Sequence, residues 1–204
     1  KPVVNGMLGG YGHIHPTDIE SSTKFLNQYF SKLKRKVYSQ NLRAADCGAG
    51  IGRISLSLLV HYFHDVDMFE PNEKFLNTAM ESAKKKGLEE RVHAIQEPLQ
   101  SADLGEKKYD VVWIQWVVGY LTDEHLISFF QRCQRCLRPN GVVILKDNIS
   151  SSDNFILDDE DASIVRCLKH MKSVIARSGL EIVSDERVKG YPTSLLPVYL
   201  FALR

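Results

Sequence analysis

The sequence contains no run approaching the roughly 18 consecutive apolar residues that a membrane helix requires. It has no charge excess either: 26 Lys and Arg stand against 25 Asp and Glu, a net charge of +1 over 204 residues. The first absence argues against a helical membrane span, and the second removes any sequence-wide field for a polyanion or an anionic lipid surface. Cysteine is scarce, with four residues irregularly spaced at Cys47, Cys133, Cys136 and Cys167. That spacing is no disulfide framework, and buried thiols in a reducing compartment, nucleus or cytoplasm, are expected. No internal repeat, low-complexity tract or Pro- and Ser-rich linker divides the chain. A single domain over 1–204 is therefore expected, long enough to bury about two-thirds of its unfolded surface. The chain starts Lys1-Pro2, so it reads as a trimmed span with any amino-terminal targeting segment out of view.

Residues 5–12 read NGMLGGYG, with four glycines in eight positions, and an amphipathic run follows to about Leu33. This predicts a flexible lid and then a helix within 1–40. The cluster Lys32, Lys34, Arg35 and Lys36 reads as a solvated helix end. From residue 42, short apolar runs alternate with runs of helical period, the pattern of a mostly parallel sheet with helices on both faces. Strands are expected near 44–47, 66–70, 92–96, 110–114 and 142–146, with helices over 51–62, 73–86 and 124–137. A last helix over 163–178 ends at Gly179, and two strands, 182–185 and 198–203, pair as an antiparallel hairpin.

The sharpest local feature is Asp46-Cys47-Gly48-Ala49-Gly50-Ile51-Gly52-Arg53, where a buried strand gives way to a helix. Alternate glycines let a nucleoside lie on the main chain, with amides of the helix start pointing at it. Glu70 ends the next strand, where a carboxylate can accept both ribose hydroxyls. A dinucleotide fingerprint would need glycine at the position of Arg53, whereas the spacing here is G-x-G-x-G. That form, led by Asp46, resembles the first motif of class I methyltransferases. Their cofactor carries an amino acid carboxylate instead of a pyrophosphate, and Arg53 is a suitable cation for it.

Several further segments make the resemblance closer: Gly6 to His13, Asp46 to Ile54, Trp113-Ile114-Gln115-Trp116, Lys146-Asp147-Asn148, Ile156-Leu157-Asp158-Asp159 and the ending Tyr199 to Arg204. Together they resemble the protein α-N-terminal methyltransferases across essentially the whole chain. The resemblance implies an α/β, Rossmann-like seven-stranded sheet with helices on both faces and an amino-terminal helical lid. It implies S-adenosyl-L-methionine as cofactor and the free α-amine of protein tails starting Xaa-Pro-Lys as substrate, with no metal, no direct nucleic acid and no membrane. Gly48, Gly50, Arg53, Glu70 and Gln115 would hold the cofactor, with Leu99 and Gln100 against its adenine. Leu8 and Gly9 would line the peptide entrance, and Trp116 would pack on the first peptide residues. Asn148 would hold the backbone of the first residue, and Asp158, Asp161 and Ser163 would surround its amine and the lysine. A monomer or weak oligomer is expected.

Methyl transfer needs a neutral amine, and a free α-amine titrates near 7.7–8.0, so a nearby carboxylate can take the departing proton. Asp161 is the candidate for that role. The competing reading is that Asp158-Asp159-Glu160-Asp161 merely caps a following helix. The chain departs from the family pattern at Tyr120, where a histidine is usual, and at Leu196, which replaces an aromatic. Tyrosine is no base near neutral pH, and its bulk would favour slow catalysis or arrest after one transfer. Three alternatives stay open: a small-amine methyltransferase, a catalytically weak binding partner of a related enzyme, and a nicotinamide dehydrogenase. Cys133 and Cys136 read as core thiols because no second pair completes a zinc site. His61 and His64, placed on one helix without an acidic partner, read as surface residues, and His13 as a loop residue beside the lid. Of Trp113 and Trp116, one is expected in the core and one at the site.

Overall fold

A computed structural model describes residues 2–32, 42–159 and 161–204. It divides into two compact units, Lys1–Pro98 and Leu99–Arg204. In the first, α1 (Val4–Met7) and a 3-10 turn (Gly12–Ile14) lead into α2 (His15–Lys32). Then come β1 (Arg43–Cys47), α3 (Arg53–Ser57), β2 (Asp65–Phe69), α4 (Glu73–Lys85) and β3 (Val92–Ile95). The three strands are parallel, with β2 between the others and Ala45 opposite Asp67. Four of the five residues in each of β1 and β2 are buried, as a strand covered on both faces requires. Helix α4 forms where the sequence directs it. Asn72 caps its start by accepting the Lys74 N–H at 3.0 Å, Leu76, Ala79 and Ala83 face inward, and Lys84 and Lys85 sit at its negative end.

The expected helix over 51–62 is shorter. It stops at Leu58, and a 3-10 turn over Leu59–His61 follows. Leu58, Leu59, Val60, Tyr62 and Phe63 are all buried, and neighbouring residues cannot all face one side of a regular helix. The turn resolves that conflict, and it sets Tyr62 parallel to Phe30 of α2, with centroids 5.9 Å apart. Of the basic cluster, Lys34, Arg35 and Lys36 lie outside the described residues, and Lys32 is the last residue of α2.

The second unit holds β4 (Tyr109–Gln115), α5 (Asp123–Cys136), β5 (Leu137–Asn148), β6 (Ile156–Asp158), β7 (Ser163–Val165), α6 (Leu168–Arg177), β8 (Ile182–Arg187) and β9 (Val198–Leu203). Strands β4 and β5 are parallel, while β9 pairs antiparallel with both β5 and β8, so the expected terminal hairpin is present. Three strands in the first unit and four in the second supply the seven expected, with β6 and β7 forming a separate antiparallel ribbon. Thr122 caps α5, and Leu126, Phe129, Phe130, Cys133 and Cys136 form its fully buried face, which makes the two cysteines core thiols. Among the described residues no helix is long and apolar enough to cross a membrane.

The last helix begins at Leu168, not Ser163. Ser163-Ile164-Val165 instead pairs with Ile156-Leu157-Asp158, placing Leu157 opposite Ile164 and Asp158 opposite Ser163. Two adjacent β-branched residues favour the strand, and a backbone extended at Cys167 (φ −74°, ψ 163°) delays the helix. Asp158 therefore ends a strand, Asp161 lies in the turn that follows, and neither caps α6. His64 also departs from expectation. It lies beyond the 3-10 turn, its Nδ1 is 3.1 Å from Asp65 Oδ2, and His93 Nε2 is 3.0 Å from the other oxygen.

Candidate active site

In the first unit the glycine turn follows β1 directly, and two side chains shape it. Glu70, 8% exposed at the end of β2, accepts the Gly50 N–H at 3.0 Å and the Asn72 N–H at 2.9 Å. One carboxylate thus sets the turn and the start of α4 together. Asp46, 2% exposed, accepts the Ser55 amide at 3.0 Å and the Ser55 hydroxyl at 2.6 Å. Burial raises its carboxyl to about 6 against the pull of those hydrogen bonds and of Arg53. Asp46 is thus a brace for the first turn of α3.

Glycine is required at two positions here. Gly52 has φ 73°, and a Cβ would lie 3.0 Å from Ala79 Cβ and 3.2 Å from Met68 Sδ. Gly50 has φ 55°, and a Cβ there would lie 2.6 Å from the Met7 methyl. The lid thus reaches the glycine turn through Met7, while Leu8 is buried and Gly9 exposed. Arg53 donates through Nη1 to Asp18 Oδ2 and lies 3.2 Å from His15 Nδ1. Asp18, fully buried on α2, orients the arginine, a role the sequence reading missed.

In the second unit Trp113 is a fully buried core residue, and its Nε1 donates to Gln115 Oε1 at 3.0 Å. Trp116, half-buried beyond the end of β4, has φ 52°, the left-handed region that bulky residues rarely occupy, and its amide donates to the Lys146 carbonyl at 3.1 Å. Trp113 is thus the core tryptophan of the pair. Leu99 is buried and Gln100 exposed, and their carbonyls accept from Arg132 Nη2 at 2.5 and 3.0 Å.

Tyr120 follows in a 3-10 turn (Val118–Tyr120), 53% exposed, and its hydroxyl donates to Asp161 Oδ2 at 2.9 Å. Ser163 also hydrogen-bonds Asp161 through side chain and backbone, and together these donors hold the Asp161 carboxyl below its ordinary value. Burial, with Asp161, Asp158 and Asp147 around it, pushes the Tyr120 hydroxyl up to about 12. Tyr120, Asp158 and Ser163 line a cleft of about 510 Å³ along the ribbon. Beneath the turn Arg166, 1% exposed, donates to the Val118 carbonyl at 3.0 Å, the Leu121 carbonyl at 2.7 Å and Asp123 Oδ1 at 2.9 Å. One buried guanidinium therefore fixes the turn that presents Tyr120.

Asn148 is half-buried at the end of β5, and its amide donates to Asp147 Oδ1 at 2.7 Å. Asp147 is 9% exposed, and burial raises its carboxyl to about 7. The sequence reading singled out neither Asp147 nor Arg166 as a functional residue. A charged pair inside segments of apolar context was the available signal.

The family described as AdoMet dependent proline di-methyltransferase matches residues 1–204. The N-terminal Xaa-Pro-Lys N-methyltransferase 1-B of Xenopus laevis is 44% identical, covering 98% of this chain and 88% of its own length. The human N-terminal Xaa-Pro-Lys N-methyltransferase 1 is 43% identical over 100% and 89%. Among solved structures, a SAM-dependent methyltransferase of Leishmania major superposes with a TM-score of 0.86 at 36% identity, covering 99% of this chain and 77% of that one. The geranyl diphosphate C-methyltransferase of Streptomyces coelicolor gives 0.72 at 10% identity, over 90% and 78%, a likeness of fold alone.

Proposed function

Because the chain belongs to the AdoMet dependent proline di-methyltransferase family, a group of S-adenosylmethionine-dependent enzymes with the class I fold, we propose that it methylates the free α-amine of protein tails beginning Xaa-Pro-Lys, with residues 1–204 acting as one methyltransferase domain. The names of its relatives in frog and human support this reading. The observation that carries it is the acidic ribbon. Asp158 and Asp161 are exposed, and Asp161 is braced by Ser163 and Tyr120, which suits a cationic tail.

The chain's own residues fit the cofactor. Gly50 and Gly52 keep side chains off the turn, Glu70 offers a carboxylate for ribose hydroxyls, and Arg53, the first residue of α3 and oriented by Asp18, is a cation for the carboxylate of an amino acid. Gly48, Leu99, Gln100 and Gln115 complete the proposed cofactor contacts. S-adenosyl-L-methionine supplies a sulfonium methyl group that an amine lone pair can displace. The protein must then bind the tail, hold the amine in line about 3 Å from the methyl carbon, exclude water and accept one proton. Leu8 and Gly9 form the entrance, Trp116 packs on the first peptide residues, and Asn148 holds the first peptide unit. Asp158, Asp161 and Ser163 hold the amine and the lysine. Proline at the second position fixes φ and lowers the ordering cost of an extended tail.

Tyr120 acts through Asp161. Its hydroxyl occupies one oxygen of that carboxylate and leaves less of it for the amine, and the ring takes up space that a methylated amine needs, so slow turnover with monomethylated product in excess is expected. Intact-mass spectrometry of Ser-Pro-Lys and Ala-Pro-Lys peptides, beside amine-acetylated controls, tests both points. Mass gains confined to the free amines support α-N-methylation. Cofactor binding without transfer would favour the binding-partner reading, and mainly trimethylated product would overturn the role given to Tyr120.

A further inference from the structure

A proton leaves the amine during transfer, and the residues around the site differ in their fitness to take it. Asp161 is exposed, one of its oxygens is occupied by Tyr120, and Ser163 also hydrogen-bonds it. Those donors favour its charged form and make it a weak acceptor. Tyr120 itself holds its proton far above neutral pH. One other carboxylate stands at this end of β5. Asp147 precedes Asn148, and its Oδ1 accepts the Asn148 amide at 2.7 Å. Its Oδ2 is buried and has no hydrogen-bond partner among the described residues. A buried carboxylate oxygen left unpaired is costly, and such exceptions call for an explanation.

We propose that Asp147 Oδ2 is the acceptor of the proton from the substrate α-amine, a catalytic role distinct from that of Asp161, which holds the cation. The proposal rests on the α-N-methylation reading above. In the step, the amine lone pair forms the new N–C bond as the C–S bond breaks, the sulfonium becoming a neutral thioether. The methylated ammonium then passes one proton to Oδ2, and Asp147 releases it to solvent when product leaves. The groups facing Asp147 are Arg166 and the Val118 amide, which favour its charged form, and Tyr120, whose proton it helps to retain. Tyr199 stands opposite in the β5–β9 pairing. Burial outweighs the favourable neighbours and raises the carboxyl to about 7, close to the 7.7–8.0 of an α-amine. A near match of this kind suits proton transfer in both directions.

The test measures kcat and KM against pH for the wild type, Asp147→Asn and Asp161→Asn, with an Ala-Pro-Lys peptide and saturating cofactor. For the wild type, kcat should rise through a break near pH 7. In Asp147→Asn, kcat should fall about 100-fold and the break should vanish, while peptide KM changes little. In Asp161→Asn, KM should rise and the break should remain. Retention of the break in Asp147→Asn, or a kcat within about threefold of wild type, overturns the proposal while leaving α-N-methylation standing. No transfer by the wild type overturns both.

Discussion

Replacing Asp147 by Asn tests how burial acts on the site independently of catalysis. The two side chains have the same shape. The variant keeps an oxygen for the Asn148 amide and exchanges the unpartnered Oδ2 for a neutral amide group. In the folded chain burial raises this carboxyl from 3.8 to about 7. Between those values the folded protein holds a proton that the unfolded chain has lost. The group's contribution to stability is therefore fully present below about pH 4 and declines as pH rises to about 7, beyond which it is flat. Each unit is worth about 1.4 kcal/mol, so the whole window amounts to about 4 kcal/mol and the part above pH 5 to about 3 kcal/mol. Asn carries no such dependence. Urea unfolding of both proteins at pH 5, 6, 7 and 8 should show the variant gaining about 3 kcal/mol on the wild type between pH 5 and 7, then no more. A difference that is constant with pH, or a variant that loses ground as pH rises, would refute the reasoning. The same measurement shows that lost activity in this variant is not lost folding.

Two further outcomes follow from the packing. Gly52→Ala places a methyl 3.0 Å from Ala79 Cβ at φ 73°, whereas Gly87→Ala, at φ 65°, meets nothing within 4 Å. The first should lower the melting temperature clearly more than the second, which bears only the left-handed backbone cost of about 1–2 kcal/mol. Equal shifts would show that the contact is relieved freely. Arg166→Met strips two buried carbonyls, at Val118 and Leu121, of their donor and should destabilise the protein by about 3 kcal/mol or more in chemical denaturation. Arg166→Lys, whose donors all radiate from one nitrogen and cannot span acceptors placed around three guanidinium nitrogens, should fall between wild type and Arg166→Met. A silent Arg166→Met would remove the guanidinium as the support of the Tyr120 turn.

Much of this architecture was legible in the order of residues. The caps at Asn72 and Thr122 are local devices, and the helices begin within a residue or so of where those side chains place them. Strands β1, β2 and β4 were visible as apolar runs because both their faces are covered, and the terminal hairpin because its second strand is almost wholly buried. The stretches that misled are those where tertiary burial overrides period. Residues 58–63 are buried without helical spacing, and 163–165 pair with a strand that lies only a few residues earlier. In the ribbon, the adjacent β-branched residues Ile164 and Val165 favour a strand, while the acids before them imitate a helix start.

What the sequence determined by itself is the local chemistry: the G-x-G-x-G turn after a buried acid, the carboxylate ending the next strand, and the acids near the tyrosine turn. These are properties of neighbours in the chain, and backbone sterics and periodicity carry them. Only the tertiary structure decided which charges meet and which are withdrawn from water. Asp18 finds Arg53 across 35 positions, Arg166 reaches the Tyr120 turn across more than 40, and Asp161 receives the Tyr120 hydroxyl across 41. Asp147 and Asp158 are the same type of residue, yet one is buried with its carboxyl raised and the other is exposed. Proton affinity depends on the surrounding dielectric and on nearby charge, and both exist only once distant segments have packed.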